Sequence, residues 1–355
     1  MIYINPEDKK IKDALDKHSK AIYCLVNKKI YGITYDCENK DHNNDSCLTC
    51  KQTSKLRTAV KEDIISFLKI NLKNIIVNKP IQLKNRQNIF FEHFILGFND
   101  LELDKYLKCK KKKEDDRNFI EKDIFNRYDS IFTQIKNIFN YDVFTDTSKN
   151  YSAYNLSSNL DISTCTYCNR LYTRTVINPN KITRPEFDHW YSKSKYPLLA
   201  LSFHNLIPSC HVCNSSVKGT IDLSLDEHFH PYIDSEKIIN DEIKFSYYNK
   251  SLDTYGFSMT HSSSKAKNTI DAFKIKEIYK THEDEIIDLR KIRDTYSESY
   301  LQNLSNLYKG VISEEEIYRL AFGVYLEEAK FEKRPLSKMK KDILIELGII
   351  KNGKE

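Results

Sequence analysis

The chain has 355 residues, of which 30% are charged and 40% hydrophobic, and 56 Lys and Arg against 50 Asp and Glu leave a net charge of +6. That is a globular composition with enough length to bury a core in one elaborated domain or two, and the small positive excess is weak support for a polyanionic partner. No run of eighteen apolar residues occurs, which excludes a membrane span; the first residues lack a basic-then-apolar signal pattern, so the expected location is the cytoplasm.

In chain order, residues 1–155 read as a mainly helical region. Over Thr58 to Val77, Ile64, Ile65, Leu68, Leu72 and Ile75 fall on one helical face, and Ile124, Tyr128, Phe132, Ile135 and Phe139 repeat the pattern over Glu121 to Phe139. Between them, Asn78 to Asp100 is ambiguous. The basic run Lys108 to Lys113 is followed at once by Glu114, Asp115 and Asp116, so it reads as a solvated loop, with phosphate binding as the alternative. Cys37, His42, Cys47 and Cys50 form a candidate second zinc site in a polar segment, set against free surface cysteines.

The texture changes across residues 156–260. Arg170 to Ile177 is β-branched and aromatic and predicts a strand, followed by a turn at Asn178 to Lys181. A second short strand should approach Asp188, and Glu242 to Tyr248 predicts another. Residues 261–355 return to helix: Ser313 with Glu316 makes a capping box, and a last helix should follow Pro335 and stop at Gly348. His282 lies on a helical stripe and reads as a core or boundary residue. The expected fold class is therefore α+β, mostly helical.

Nine cysteines without a secretion signal point to metal or redox chemistry rather than disulfides. Cys165 and Cys168 make one Cys-x-x-Cys, and Cys210 and Cys213 make another. Two such turns commonly assemble a tetrahedral zinc site, because a two-residue gap lets both sulfurs face one ion. Four thiolates close the coordination sphere, so this zinc is expected to be structural, with His211 outside it.

Inside that frame stand Asp188, His189, Asn205 and Asn214. A carboxylate and an amide oxygen suit a hard cation such as Mg²⁺ or Mn²⁺, and a neutral imidazole suits a general base. Asp188 and His189 point oppositely on a strand, so both serve one site only if the strand ends there and bends. Asn205 could hold the His189 ring in register.

The string Cys-x-x-Cys, Asp-His, Asn-Leu, Cys-x-x-Cys-Asn, running from Cys165 to Lys218, resembles the zinc-knuckle branch of the HNH endonucleases. The resemblance implies a small ββα-metal core embedded between helical N- and C-terminal regions. It also implies Asp188 and Asn214 as catalytic metal ligands, His189 as general base, Asn205 as the residue steadying the base loop, and the four cysteines as structural zinc ligands. Three residues rather than two separate Asn214 from Lys218, which weakens a phosphate-contacting role for that lysine. More narrowly, the stretch is similar to HNH subunits of Septu-type and retron-associated anti-phage systems. That similarity implies a nucleic-acid substrate, DNA favoured over RNA, and a partner ATPase, with self-association as the alternative use of the flanking helices. A zinc-stabilised module that binds nucleic acid or a partner without cleaving is the competing reading.

Overall fold

A computed structural model describes residues 1–31, 60–146, 151–252, 254–295 and 311–350, together with Asn303 and Asn306. Among the described residues the chain is mostly helical, with two small two-stranded sheets. It divides into two compact units that interleave along the sequence: one comprises Met1–Asn5, Asp161–Glu186 and Pro208–Glu355, the other Pro6–Leu160 and Phe187–Ile207. No helix among the described residues is long and apolar enough to cross a membrane.

The second unit is built from helices α1 (Lys9–Tyr31), α2 (Glu62–Val77), α3 (Pro80–Phe94), α4 (Asp100–Cys109), α5 (Phe119–Ile138), α6 (Tyr141–Thr145) and α7 (Ala153–Leu160). The expected apolar stripes are its core: Ile64, Leu68, Leu72 and Ile75 are buried on α2, and Ile124, Tyr128, Phe132 and Ile135 on α5. The capping box of Asn118 and Glu121 starts α5 two residues before the predicted boundary. The ambiguous segment Asn78 to Asp100 forms α3 and ends at the first residue of α4, and Phe91 of α3 stacks on Phe132 at 4.4 Å between ring centroids. The basic run begins on the last turn of α4, where Lys108 is exposed and Cys109 buried, and continues as an exposed turn in which Lys110 pairs with Asp129 and Lys112 with Glu121.

In the first unit the initial residues lie extended, Ile2 N–H donating to the Thr166 carbonyl and Ile4 N–H to that of Pro231. Strand β1 (Glu186–His189) pairs with β2 (Leu206–Ser209), and the division between the units falls within β1 and again between Ile207 and Pro208. Beyond them β3 (Ile243–Ser251) pairs antiparallel with β4 (Thr254–His261). Three helices follow at Ser264–Ala272, Ile275–Tyr279 and Glu283–Thr295. The Ser313–Glu316 capping box opens a helix at Glu314–Phe322, and the last helix, Ser337–Glu346, ends just before Gly348, whose φ is +72°.

The strand expected over Arg170 to Ile177 is replaced by two isolated antiparallel bridges, Thr164 with Tyr172 and Val176 with Thr183. The pairing partner changes within four residues, so no ladder accumulates despite favourable β propensity. The candidate zinc ligands Cys37, His42, Cys47 and Cys50 lie outside the described residues.

Candidate functional site

In the first unit, Cys165, Cys168, Cys210 and Cys213 are all buried, and their sulfurs lie within 4.8 Å of one another. Four buried cysteines are thus placed to bind one metal ion. Tetrahedral zinc with Zn–S near 2.3 Å separates its sulfurs by about 3.8 Å, and Cys168 Sγ stands 4.0 Å from Cys210 Sγ. Backbone N–H groups turn toward the sulfurs, Arg170 N to Cys168 at 3.4 Å and Cys213 N to Cys210 at 3.5 Å. Burial pushes the Cys165 thiol well up and hydrogen bonds with neighbouring sulfurs, Cys165 first, push Cys213 up, whereas such bonds, Cys165 again first, pull Cys168 and Cys210 down. Anionic sulfur in an apolar pocket needs a cation to offset it, and metal binding to such a set displaces the thiol protons.

The first knuckle is anchored by a residue with no obvious sequence signal. Asn169, buried at φ +50°, places its amide nitrogen 3.0 Å from Thr164 Oγ1 and 2.9 Å from the Phe331 carbonyl. Its own carbonyl accepts from Leu336 N–H at 2.7 Å, and Tyr279 Oη donates to the Cys168 carbonyl. Asparagine is among the few non-glycine residues that tolerate the left-handed region, so one side chain both permits the turn and ties the knuckle to residues 331–336.

Asn214 directly follows the last cysteine, within a π-helical turn at Val212–Lys218. π-Turns are rare and recur at functional positions. Its Nδ2 donates to Glu186 Oε2 at 2.8 Å, and Ser215 Oγ donates to the same oxygen at 3.2 Å. Glu186 Oε1 lies 2.8 Å from Nδ1 of His211, which is exposed and outside the cysteine cluster. Burial works against ionisation of Glu186, but hydrogen bonds from His211, Asn214 and Ser215 outweigh it and hold the carboxyl below its ordinary value. Because the amide nitrogen of Asn214 is engaged, its oxygen is the end left to act as a hard ligand. Lys218, at the end of the same turn, is buried.

The second unit holds Asp188, His189 and Asn205. Both ends of the Asn205 side chain are spent on loop backbone: Oδ1 accepts from Tyr191 N at 2.7 Å, and Nδ2 lies 3.0 Å from the carbonyls of Tyr191 and Leu199. Its carbonyl accepts from Trp190 N at 3.1 Å. The turn so held brings the Ala200 carbonyl to 3.0 Å from His189 Nε2. A carbonyl only accepts, so Nε2 carries the proton of the neutral ring and Nδ1 carries the lone pair. Tyr141 packs edge-on against this imidazole at 4.6 Å. β1 ends at His189, and strand alternation puts Glu186 and Asp188 on one face and Phe187 and His189 on the other. Asp188 is buried, at 2% exposure.

Two of these participants escape sequence reasoning for different reasons. Glu186 carries a usable signal, since it shares a strand face with Asp188. The Ala200 carbonyl carries none, because every residue has one and only the path of the loop selects it. No protein-family model, curated protein or solved structure matches the chain.

Proposed function

We propose that this protein is a metal-dependent HNH endonuclease that hydrolyses phosphodiester bonds of nucleic acid, DNA in preference to RNA. The observation that carries the reading is the His189 imidazole, fixed by Ala200 in the tautomer whose Nδ1 can accept a proton. Support also comes from chain order: two short strands and a helical turn follow one another, with Cys-x-x-Cys pairs before and within them. That is the order a ββα-metal core requires.

In this reading His189 Nδ1 takes a proton from a water, and the resulting hydroxide attacks phosphorus in line with the departing 3′ oxygen. The departing 3′ oxygen takes a proton from solvent, so the products carry 5′ phosphate and 3′ hydroxyl ends. In this reading Asp188 and Asn214 would be the residues that hold Mg²⁺ or Mn²⁺ through oxygen, and Glu186 orients the Asn214 amide. A bound ion would polarise a non-bridging oxygen and neutralise charge on the leaving group. Asn205 acts through the loop backbone and not on the ring. Zinc on the four cysteines is structural, because four thiolates leave no open position for water.

The test is cleavage of plasmid and linear DNA and of RNA by zinc-loaded protein with Mg²⁺ or Mn²⁺. His189→Ala is expected to lose at least about 100-fold in rate, the usual contribution of a general base; wild-type rates in that variant would sink the proposal. Binding without cleavage on every substrate would favour the non-cleaving module instead. The helices of the second unit expose Ile70, Leu101 and Phe119, which supports their docking a partner, an ATPase of an anti-phage system in this reading. Copurification with the product of a neighbouring ATPase gene tests that role, and a stable homo-oligomer alone would count against it.

A further inference from the structure

We infer that the arm formed by residues 170–184, between the first cysteine pair and β1, is a docking surface for duplex DNA; this rests on the nuclease reading for the identity of the polyanion. From Ile162 to Pro185 the sequence holds Arg170, Arg174, Lys181 and Arg184 and no acidic residue. In a chain of nearly balanced charge, that is a run of one sign along the sequence, bordered by Asp161 and Glu186. The arm extends from the Thr164–Tyr172 bridge and folds back at the Val176–Thr183 bridge, where Val176 N–H donates to the Thr183 carbonyl at 2.9 Å. Tyr172, Arg174 and Val176 alternate with less exposed neighbours and so share its outer face. Ile182, 64% exposed, stands on the returning limb.

The guanidinium of Arg174 lies over the Tyr172 ring at 4.8 Å from its centroid. No ion pair to a carboxylate holds Arg174 among the described residues. A stacked, pre-oriented guanidinium is suited to phosphate, and the apolar side chains beside it can lie against sugar and base edges. A two-limbed ribbon fits the major groove of B-form DNA, whereas the major groove of an A-form RNA helix is too deep and narrow for it. The arm runs without a break into the strand that carries Asp188 and His189.

The experiment measures binding of a fluorescein-labelled 24-base-pair DNA duplex by full-length, zinc-loaded His189→Ala protein over a range of salt concentrations. Adding Arg174→Ala, Lys181→Ala and Arg184→Ala together should weaken binding at least about tenfold and reduce the salt slope by about 2 to 3, near 0.9 for each phosphate no longer neutralised. Arg174→Lys alone should keep the salt slope, and Tyr172→Ala should weaken binding with the slope nearly unchanged. A matched control, Lys108→Ala, Lys111→Ala and Lys113→Ala, removes three exposed charges from the end of α4 and the turn after it and should leave affinity unaltered. Unchanged affinity and slope in the arm triple, with zinc content intact, would overturn the inference, as would absence of DNA binding or equal binding of an RNA duplex. If the triple fails to retain zinc, Arg174→Glu decides, with the same expected loss. Arm-dependent binding by a wild-type protein that never cleaves would refute the nuclease reading and leave the arm standing. Arm variants that bind DNA normally but lose a copurifying protein would make the arm a protein interface and refute the proposal.

Discussion

The cysteine cluster of the first unit and the His189 loop of the second are both buried and both hold a candidate functional group, yet they are built differently. The cluster relies on two pairs of residues three apart, each of which turns its own sulfurs inward over a single local turn. The loop relies on one asparagine whose bonds reach Tyr191 and Leu199, fourteen and six positions back along the chain. A site of the first kind tolerates an arbitrary insertion between its halves, since each half folds locally and the ion joins them. A site of the second kind depends on the whole length between its ends.

Breaking the cluster should have the largest effect. Structural zinc contributes on the order of 10 kcal/mol or more of folding free energy, so Cys213→Ser is expected to lose bound zinc and the cooperative melt of the first unit. Metal analysis and calorimetry would check this; retention of one zinc per chain would contradict it. Two zincs per chain in the wild type would bring Cys37, His42, Cys47 and Cys50 into play.

Acid should act on the other region. His18 and His204 are held in the second unit with their pKa pushed down to about 4, chiefly by burial. Both stay neutral in the fold but take up a proton in the unfolded chain, so their contribution is fully present above about pH 6.5 and is lost as pH falls toward 4. The expected loss is on the order of 3 kcal/mol for each histidine, read as urea midpoints at pH 7, 6, 5 and 4. A flat profile would argue that these rings are not buried.

Asn205→Ala should follow, costing on the order of 3 kcal/mol because several buried backbone groups lose their partners together. Its signature is a lower stability of the second unit with zinc content unchanged. The smallest structural effect belongs to Asn214→Ala, which removes one partly exposed hydrogen bond worth about 1 kcal/mol. It should remain folded and zinc-loaded while losing cleavage activity. Were it to lose zinc, Asn214 would belong to the cluster's framework and not to the metal site proposed beside it.

Much of the helical frame was legible because burial on a helix repeats every three to four residues, as Ile64, Leu68, Leu72 and Ile75 do on α2. α3 was ambiguous: it begins at Pro80 and also buries Gln87, so apolar spacing alone did not mark its face. Strands fared unevenly. β3 showed its alternation, but Arg170 to Ile177 has the same composition without a continuous partner, and propensity cannot supply one.

The sequence by itself determined the cysteine pairs, the stripes of α2 and α5, the capping box at Ser313 and the stop before Gly348, since each depends on residues within one or two turns. Only the tertiary structure decided that residues 187–207 pack with the N-terminal helices, that Ala200 offers its carbonyl to His189, and that Glu186 takes the Asn214 amide. These pairings join residues 11 to 28 positions apart or more through loops, and loop paths follow from the packing of everything around them. Spacing encodes what a single turn can bring together; the rest needs the whole chain.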